Sequence, residues 1–423
     1  MELSQYFKSI LEQDRCAVVI CNLEHEIIYM NPAAVKQYER RGGSSLMGKN
    51  LLDCHNAKSQ EKIRKVVAWF AESRENNILF TFHNQKQNKD VYMVALREDD
   101  GTLIGYYEKH EYRNTERGLK YLVIGAGATG GCIAGFLSDA GKDVTLIARG
   151  RNLQAIRENG LKIRKGQQER QIALKVLPEE EYEEKADIIF LCVKGYSLEE
   201  TYPLIRRAAD GHTIVIPILN IYGTGERMTR ELPGIRVLNG CIYIAAEVEK
   251  PGVLRMGSDI FRIVYGSVDG KKENPLLDIV EQDLREAGIT PVYTDQVRRD
   301  TLQKYAMVSP MAAVGAFYDI NAGGMQKPGE MRERYRACIG EIRSLAEAMG
   351  LSFPGDVVQT NLDILDQMAP DCTASMQKDL KKGGQSEIDG LIFEVVRMGH
   401  RYGVPVPNYE EIAAKFGYRY ESV

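Results

Sequence analysis

The stretch Tyr121-Leu-Val-Ile-Gly125-Ala-Gly127-Ala128-Thr129-Gly130-Gly-Cys-Ile-Ala-Gly-Phe-Leu137 runs from a short apolar segment through a glycine turn into a second apolar segment. A GxGxxG pattern alone is weak evidence, because glycine turns occur in many folds. Placed after a predicted strand and at the opening of a predicted helix, it acquires a mechanical meaning. Gly125 permits the tight turn, Gly127 lets the backbone approach a pyrophosphate, and Gly130 lets the helix pack closely on the strand. The helix N-terminus, at Ala128 and Thr129, offers unpaired N–H groups to an anion.

Downstream, Asp143-Val-Thr-Leu-Ile-Ala148, Asp187-Ile-Ile-Phe-Leu-Cys-Val193 and Thr213-Ile-Val-Ile-Pro217 are continuous apolar runs of strand length. Buried parallel strands require such runs, and the helical spacers between them predict a doubly wound α/β (Rossmann) domain over residues 119–294. The second of its strands ends in Ile147-Ala148-Arg149-Gly150-Arg151. An NAD-binding chain usually carries an acidic residue at this point, whereas guanidinium groups at Arg149 and Arg151 suit the 2′-phosphate of NADP. Asp143 lies at the wrong end of that strand to serve. From Asp295 to Val423 strand signals fade, and Glu330–Met349 and Gly390–Gly403 space their apolar residues as helices do. An all-α domain over 295–423 is expected.

Upstream, residues 1–115 alternate short apolar runs with polar turns. Strands are expected at 17–21, 26–30, 78–83, 91–97 and 103–109, with a helix around 60–73; Asn31-Pro32 ends the second strand. Val18-Val-Ile20, Ile27-Ile-Tyr-Met-Asn31-Pro-Ala-Ala34, Leu46-Met-Gly48-Lys-Asn-Leu51 and Asp99-Asp-Gly101-Thr-Leu-Ile-Gly105 together resemble a PAS domain over most of residues 13–111. That resemblance implies an α+β sensory or dimerising module, and with it control of activity by a ligand or a homodimer. Asp53-Cys54-His55 is the one spot there where a ligand or redox role is conceivable, beside the plainer role of a helix-entry loop. Polar residues 111–119 read as a linker.

The length of 423 residues exceeds one ordinary core, so two or three domains are expected. A net charge of −4 supplies no electrostatic footprint for nucleic acid. The eight cysteines are scattered without a CxxC pair, so neither a disulfide framework nor a metal site is expected. The opening Met-Glu-Leu-Ser-Gln-Tyr lacks the features of a signal peptide, no apolar run is long enough for a membrane span, and a cytoplasmic location follows.

Residues from Tyr121 to Val423 resemble ketopantoate reductase (2-dehydropantoate 2-reductase). The glycine turn, Cys192-Val-Lys194-Gly-Tyr, Ile218-Leu-Asn220-Ile-Tyr-Gly223 and Pro251-Gly-Val-Leu-Arg-Met-Gly257 carry the resemblance. So do Leu302-Gln-Lys304-Tyr-Ala, Ser375-Met-Gln-Lys-Asp379 and Ser386-Glu387-Ile-Asp389. The resemblance implies hydride transfer from NADPH to a 2-oxo acid, ketopantoate first, yielding the 2-hydroxy acid. It implies Lys304 as general acid and Glu387 as the partner that positions it. Asn220 and Ser375 would bind substrate, and Lys194 would line the cofactor cleft. One departure stands out. The family places asparagines four and eight residues beyond the catalytic lysine, where this chain has Val308 and Ala312, with Pro310 between them to kink or break the helix. A 2-oxo acid with a more apolar tail is therefore a competing substrate. An opine-type or other hydroxyacid dehydrogenase, and a non-catalytic NADP-binding redox sensor, are alternative functions.

Overall fold

The computed structural model describes residues 4–14, 16–84, 89–112, 118–270 and 275–420. The first three residues of the chain, and residues 113–117 of the expected linker, lie outside that description. The chain divides into two compact units, Met1–Arg117 and Gly118–Val423.

The N-terminal unit runs α1 (Ser4–Gln13), β1 (Val18–Asn22), β2 (Ile27–Met30), α2 (Pro32–Gln37), α3 (Ala57–Glu72), β3 (Ile78–Asn84), β4 (Lys89–Arg97) and β5 (Leu103–Tyr112). All five expected strands form, in one antiparallel sheet ordered β2-β1-β5-β4-β3. Val19, Cys21, Ile27, Phe70, Met93 and Tyr106 are buried in its core. Asn31 ties the unit together. Its fully buried side chain accepts from the Val18 and Ala34 N–H groups at 3.0 and 2.9 Å and donates to the carbonyls of Leu11, Asp14 and Cys16. It therefore caps α2, with Pro32 at the first helical position where its missing N–H costs nothing.

The C-terminal unit begins β6 (Lys120–Ile124), α4 (Ala128–Asp139), β7 (Asp143–Ile147), α5 (Gly150–Asn159), β8 (Leu161–Lys165), β9 (Gln168–Ile172) and β10 (Lys175–Leu177). It continues β11 (Ile188–Leu191), α6 (Tyr202–Ala208), β12 (Ile214–Pro217), α7 (Thr224–Glu231), β13 (Arg236–Val237), β14 (Asn239–Lys250), β15 (Val253–Gly266), α8 (Pro275–Glu286) and β16 (Thr290–Tyr293). Six strands form a fully parallel sheet ordered β10-β7-β6-β11-β12-β13. Successive residues enter opposite cores: Tyr121 and Val123 go to one, Leu122 and Ile124 to the other. Burial on both faces explains why these strands are continuously apolar. The strand order reverses between β6 and β11, and ligands of such sheets bind in the crevice at the carboxyl ends there.

A second sheet went unread in the sequence. The long hairpin β14–β15 turns at Pro251-Gly252, where Gly252 has φ +74°, and β8, β9 and β16 join it. Exposed polar stretches interrupt its strands, as at Gln168–Gln171 of β9 and Glu247–Lys250 of β14, so its edges carry no strand signal.

Helices fill the remainder: α9 (Val297–Tyr318), α10 (Ala322–Gln326), α11 (Glu330–Ala348), α12 (Val357–Gln367), α13 (Ser375–Lys381), a π-helical turn at Asp389–Phe393, α14 (Glu394–Tyr402) and α15 (Pro407–Lys415). Pro310 does not break α9, contrary to the sequence-based expectation. Buried side chains lock the turn of the helix that leads into it. Tyr305 Oη donates to the Gly390 carbonyl at 2.7 Å, and Ser309 Oγ bonds the Leu391 carbonyl and the Tyr409 hydroxyl at 2.6 Å each. Tertiary packing thus outweighs the one backbone hydrogen bond that proline removes.

Replacing Asn31 by Ala leaves two buried N–H groups and three carbonyls without their partner. We expect the N-terminal unit to lose at least about 2 kcal/mol of stability, read by urea unfolding of the full chain followed through Trp69. An unchanged midpoint would show that the network contributes nothing.

Candidate active site

Gly125, φ +109°, closes β6 in a conformation that disfavours any other residue, and a Cβ there would lie 2.8 Å from the Cys192 carbonyl of β11's end. A Cβ at Gly130 would lie 2.0 Å from the Gly125 carbonyl, so α4 can pack this closely only with glycine. Gly127, the N-cap of α4, is different: a Cβ there would meet nothing within 4 Å. Two glycines are needed by the protein's own packing, and the third leaves open space in front of the N–H groups of Ala128 and Thr129. This fits a dinucleotide pyrophosphate. Asn152 braces the turn, donating to the Ala126 carbonyl at 2.7 Å and accepting from the Gly252 N–H at 3.0 Å. Arg149 stands at the N-cap position of α5 without a side-chain capping bond, and Arg151 follows in its first turn; both are exposed beyond the end of β7.

Lys194 follows β11 and Asn220 follows β12, so both stand at the same edge of the sheet as the glycine turn. Between them Ile221 fills a gap that only glycines leave. A Cβ at Gly195 would come within 2.1 Å of it, and one at Gly390 within 2.4 Å. The loop after β12 is thereby wedged between the loop after β11 and the π-helical turn, which joins the parallel sheet to the helices.

Glu387, just before that turn, is nearly fully buried. Its Oε2 accepts from Lys194 Nζ at 3.1 Å and its Oε1 from the Gly195 N–H at 3.2 Å; Lys194 also reaches Asp379 Oδ2 at 3.0 Å. Burial pulls the Lys194 ammonium down, but the two carboxylates outweigh it and hold the lysine above its ordinary range. The resemblance implied that Glu387 would position Lys304; the structure pairs it with Lys194. A desolvated carboxylate needs a cation at contact, and here the residue after β11 supplies it.

Lys304 sits half-buried on α9 and, among the described residues, makes no hydrogen bond or ion pair. Its Nζ lies 4.6 Å from the centroid of Tyr243, and the guanidinium of Arg262 lies 4.3 Å from the same ring. Tyr243 and Arg262 are cross-strand partners on β14 and β15. Burial drives the Lys304 ammonium down to about 8; Arg262 pushes the same way, against an opposing effect of Cys241. A lysine poised in this way can give up a proton near neutral pH. Val308, one turn on, is partly buried against the helical core, and Ala312 is buried within it. Asn220 is half-buried and Ser375 is exposed at the start of α13; neither side chain hydrogen-bonds within the described chain.

Sequence reasoning did not single out Tyr243, Arg262 or Asp379. The first two meet through strand register, which leaves no local signal. Asp379 falls within a segment quoted for its resemblance, on the exposed-looking face of a helix.

Residues 121–270 match the family described as ketopantoate reductase PanE/ApbA, and residues 296–417 match its C-terminal domain. The chain belongs to the ketopantoate reductase family. It is 26% identical over 299 residues to 2-dehydropantoate 2-reductase of Aquifex aeolicus, covering 70% of this chain and 94% of that one. A ketopantoate reductase of Ralstonia eutropha JMP134 superimposes with a TM-score of 0.64 at 26% identity, over 70% of this chain and 97% of its own. D-mandelate dehydrogenase, solved with NADH and anilino(oxo)acetate, shares the fold at a TM-score of 0.64 and 22% identity, over 70% and 96%. The chain is thus an oxidoreductase of the ketopantoate reductase type, with a Rossmann-like parallel sheet and a helical C-terminal domain. Among the described residues no helix is long and apolar enough to cross a membrane.

Substituting Gly130 by Ala should weaken nicotinamide-nucleotide binding by at least about tenfold while the chain stays folded, since α4 must shift away from the turn. Wild-type affinity in a calorimetric titration would contradict the placement of the cofactor at this turn.

Proposed function

We propose that this chain reduces a 2-oxo acid to the 2-hydroxy acid with NADPH, that 2-dehydropantoate (ketopantoate) is the first candidate substrate, and that Lys304 is the general acid. The observation that carries the proposal is the state of Lys304: a half-buried ammonium with no carboxylate partner among the described residues, its Nζ 4.6 Å from the Tyr243 ring and brought to about 8 by burial. Gly125, Gly127, Ala128, Thr129 and Gly130 would hold the pyrophosphate, Arg149 and Arg151 the 2′-phosphate, and Lys194 the inner wall of the cleft. The bound cofactor supplies the hydride that reduces the carbonyl carbon. Lys304 Nζ gives a proton to the carbonyl oxygen as it becomes a hydroxyl, and its charge stabilises the oxyanion character that builds on the way. Asn220 and Ser375, whose side chains make no hydrogen bond among the described residues, would bind substrate oxygens. Glu387 acts as a positioning residue: it holds Lys194 and the Gly195 backbone at the cleft. Val308 supports a second substrate class, 2-oxo acids with a more apolar tail, because it offers an apolar surface where the family has an amide.

We read the N-terminal unit as a PAS-like sensory or dimerising domain fused to this enzyme. Its strand order and helical layer support that reading. The exposed Ile78, Phe80 and Phe82 of β3 and Phe7 and Ile10 of α1 support a homodimer as the working assembly. The eight free cysteines accord with a reducing, cytoplasmic setting.

NADPH oxidation followed with ketopantoate and a panel of 2-oxo acids is the direct test. Lys304→Ala should lower kcat by about 10²–10⁴-fold with cofactor affinity retained; equal turnover in the variant would remove Lys304 from the chemistry. The ammonium is the acid, so kcat/KM for reduction should be level below pH 8 and decline as the pH rises through about 8. A profile rising through that range would reverse its role. Replacing Arg149 and Arg151 together by Ala should weaken NADPH about tenfold or more and leave NADH within a few-fold. NADH bound at least as tightly as NADPH by the unaltered protein would reassign the cofactor.

A further inference from the structure

Lys304 shares its aromatic neighbour with a second cation. The Arg262 guanidinium lies 4.3 Å from the centroid of the Tyr243 ring, and Lys304 Nζ lies 4.6 Å from the same point. The two charges can therefore be no farther apart than the sum of those distances. A 2-oxo acid with one hydrogen bond at its carbonyl and another at its carboxylate spans a gap of that order.

Strand register fixes where this pair stands. A Cβ at Gly240 would lie 2.9 Å from the Pro217 carbonyl, so β14 starts against the carboxyl end of β12, beside the loop that carries Asn220. Side chains alternate along a strand, which puts Cys241 and Tyr243 on one face of β14. Arg262 reaches that face as the residue paired with Tyr243 across the hairpin.

The local charges do not balance. Among the described residues neither Arg262 nor Lys304 makes an ion pair. Asp300, one turn before Lys304 on α9, acts on Tyr243 and Cys241, but Arg299 Nε donates to its Oδ1 at 2.8 Å. Two cations against one ring repel each other, and the ring's negative face offsets only part of that repulsion. A carboxylate placed between them relieves it. The guanidinium matches a carboxylate with two parallel N–H bonds, whereas the ammonium is a point charge with protons to give.

We propose that Arg262 anchors the substrate carboxylate, aimed by the Tyr243 ring on which it rests, so that the adjacent carbonyl oxygen falls to Lys304. The proposal rests on the reductase reading and deepens it: the substrate is a free 2-oxo carboxylate, and neutral esters of the same acids are poor substrates. Carboxylate and carbonyl occupy neighbouring carbons, so fixing the first at Arg262 orients the second.

Binding and turnover test this separately. The full chain with NADPH bound is titrated with oxamate, a 2-oxo carboxylate analogue, and with its neutral amide oxamide, followed by nicotinamide fluorescence. Oxamate should bind at least about tenfold tighter than oxamide. Arg262→Gln should weaken oxamate, and raise KM for ketopantoate, by about ten- to a hundredfold. Its kcat should stay within a few-fold, because the carboxylate contact is made equally before and in the transition state. Turnover of ketopantoate methyl ester should be unchanged by the substitution, which separates lost carboxylate binding from an altered Lys304 or a distorted cleft. Arg262→Lys, which keeps the charge and loses the fork, should recover part of the loss, and it carries the test if Arg262→Gln does not fold. Wild-type KM and oxamate affinity in Arg262→Gln, an equal loss for acid and ester, or oxamate bound no better than oxamide would overturn the proposal. Oxamate binding that depends on Arg262, without turnover of any 2-oxo acid, would keep the anchor and remove the reductase reading. Turnover indifferent to Arg262 would do the reverse.

Discussion

The buried carboxylate of Glu387 is the constraint around which the catalytic unit is arranged. Many of the ion pairs among the described residues join exposed side chains, as Lys65 with Glu61 and Arg149 with Glu200 do, and such pairs contribute about 0–1 kcal/mol each. Glu387 is 3% exposed at its side chain, and removing a partner from a buried pair costs about 3–5 kcal/mol. Its two oxygens bind Lys194 and the Gly195 backbone, both from the loop after β11, while the residue itself belongs to the helical part. The pair therefore sets the distance between the parallel sheet and the helices. Ile221, lodged between Gly195 and Gly390, fills the space beside it. Any side chain at either glycine would push these layers apart.

That junction has consequences for the chemistry. With Glu387 committed to Lys194, Lys304 is left with an aromatic ring and a guanidinium as neighbours, neither of which can accept its proton. A carboxylate at contact would have raised the ammonium; burial beside Arg262 lowers it instead. The π-helical turn that follows Glu387 contributes as well. Its carbonyls at Gly390 and Leu391 take hydrogen bonds from Tyr305 and Ser309, which follow Lys304 on α9. Irregular helix of this kind is frequent at functional sites, and here it fixes the helix bearing the proposed acid.

The N-terminal unit solves a related problem with different groups. Asn31, neutral and fully buried, satisfies five backbone groups and ties β1, α1 and α2 together. Lys89, also buried, is tolerated because Gln37 and His110 accept from it. In both units a buried polar side chain with complete partners specifies the arrangement of elements that apolar packing alone would leave degenerate.

The sequence by itself determined the elements whose signal is local. GxGxxG between strand and helix, continuous apolar strands and the Arg149–Arg151 ending each depend on residues close together in the chain, so the parallel sheet and the nucleotide turn are legible in the sequence. The family resemblance added Lys304, Asn220, Ser375 and Glu387 as a set. Tertiary structure decided what joins distant segments. The partner of Glu387, the Tyr243–Arg262 platform under Lys304, the unbroken course of α9 through Pro310 and the burial of Lys89 against Gln37 and His110 arise from strand register and from layers meeting. A residue's periodicity shows which face it occupies, but not which residue from a hundred positions away will be packed against that face.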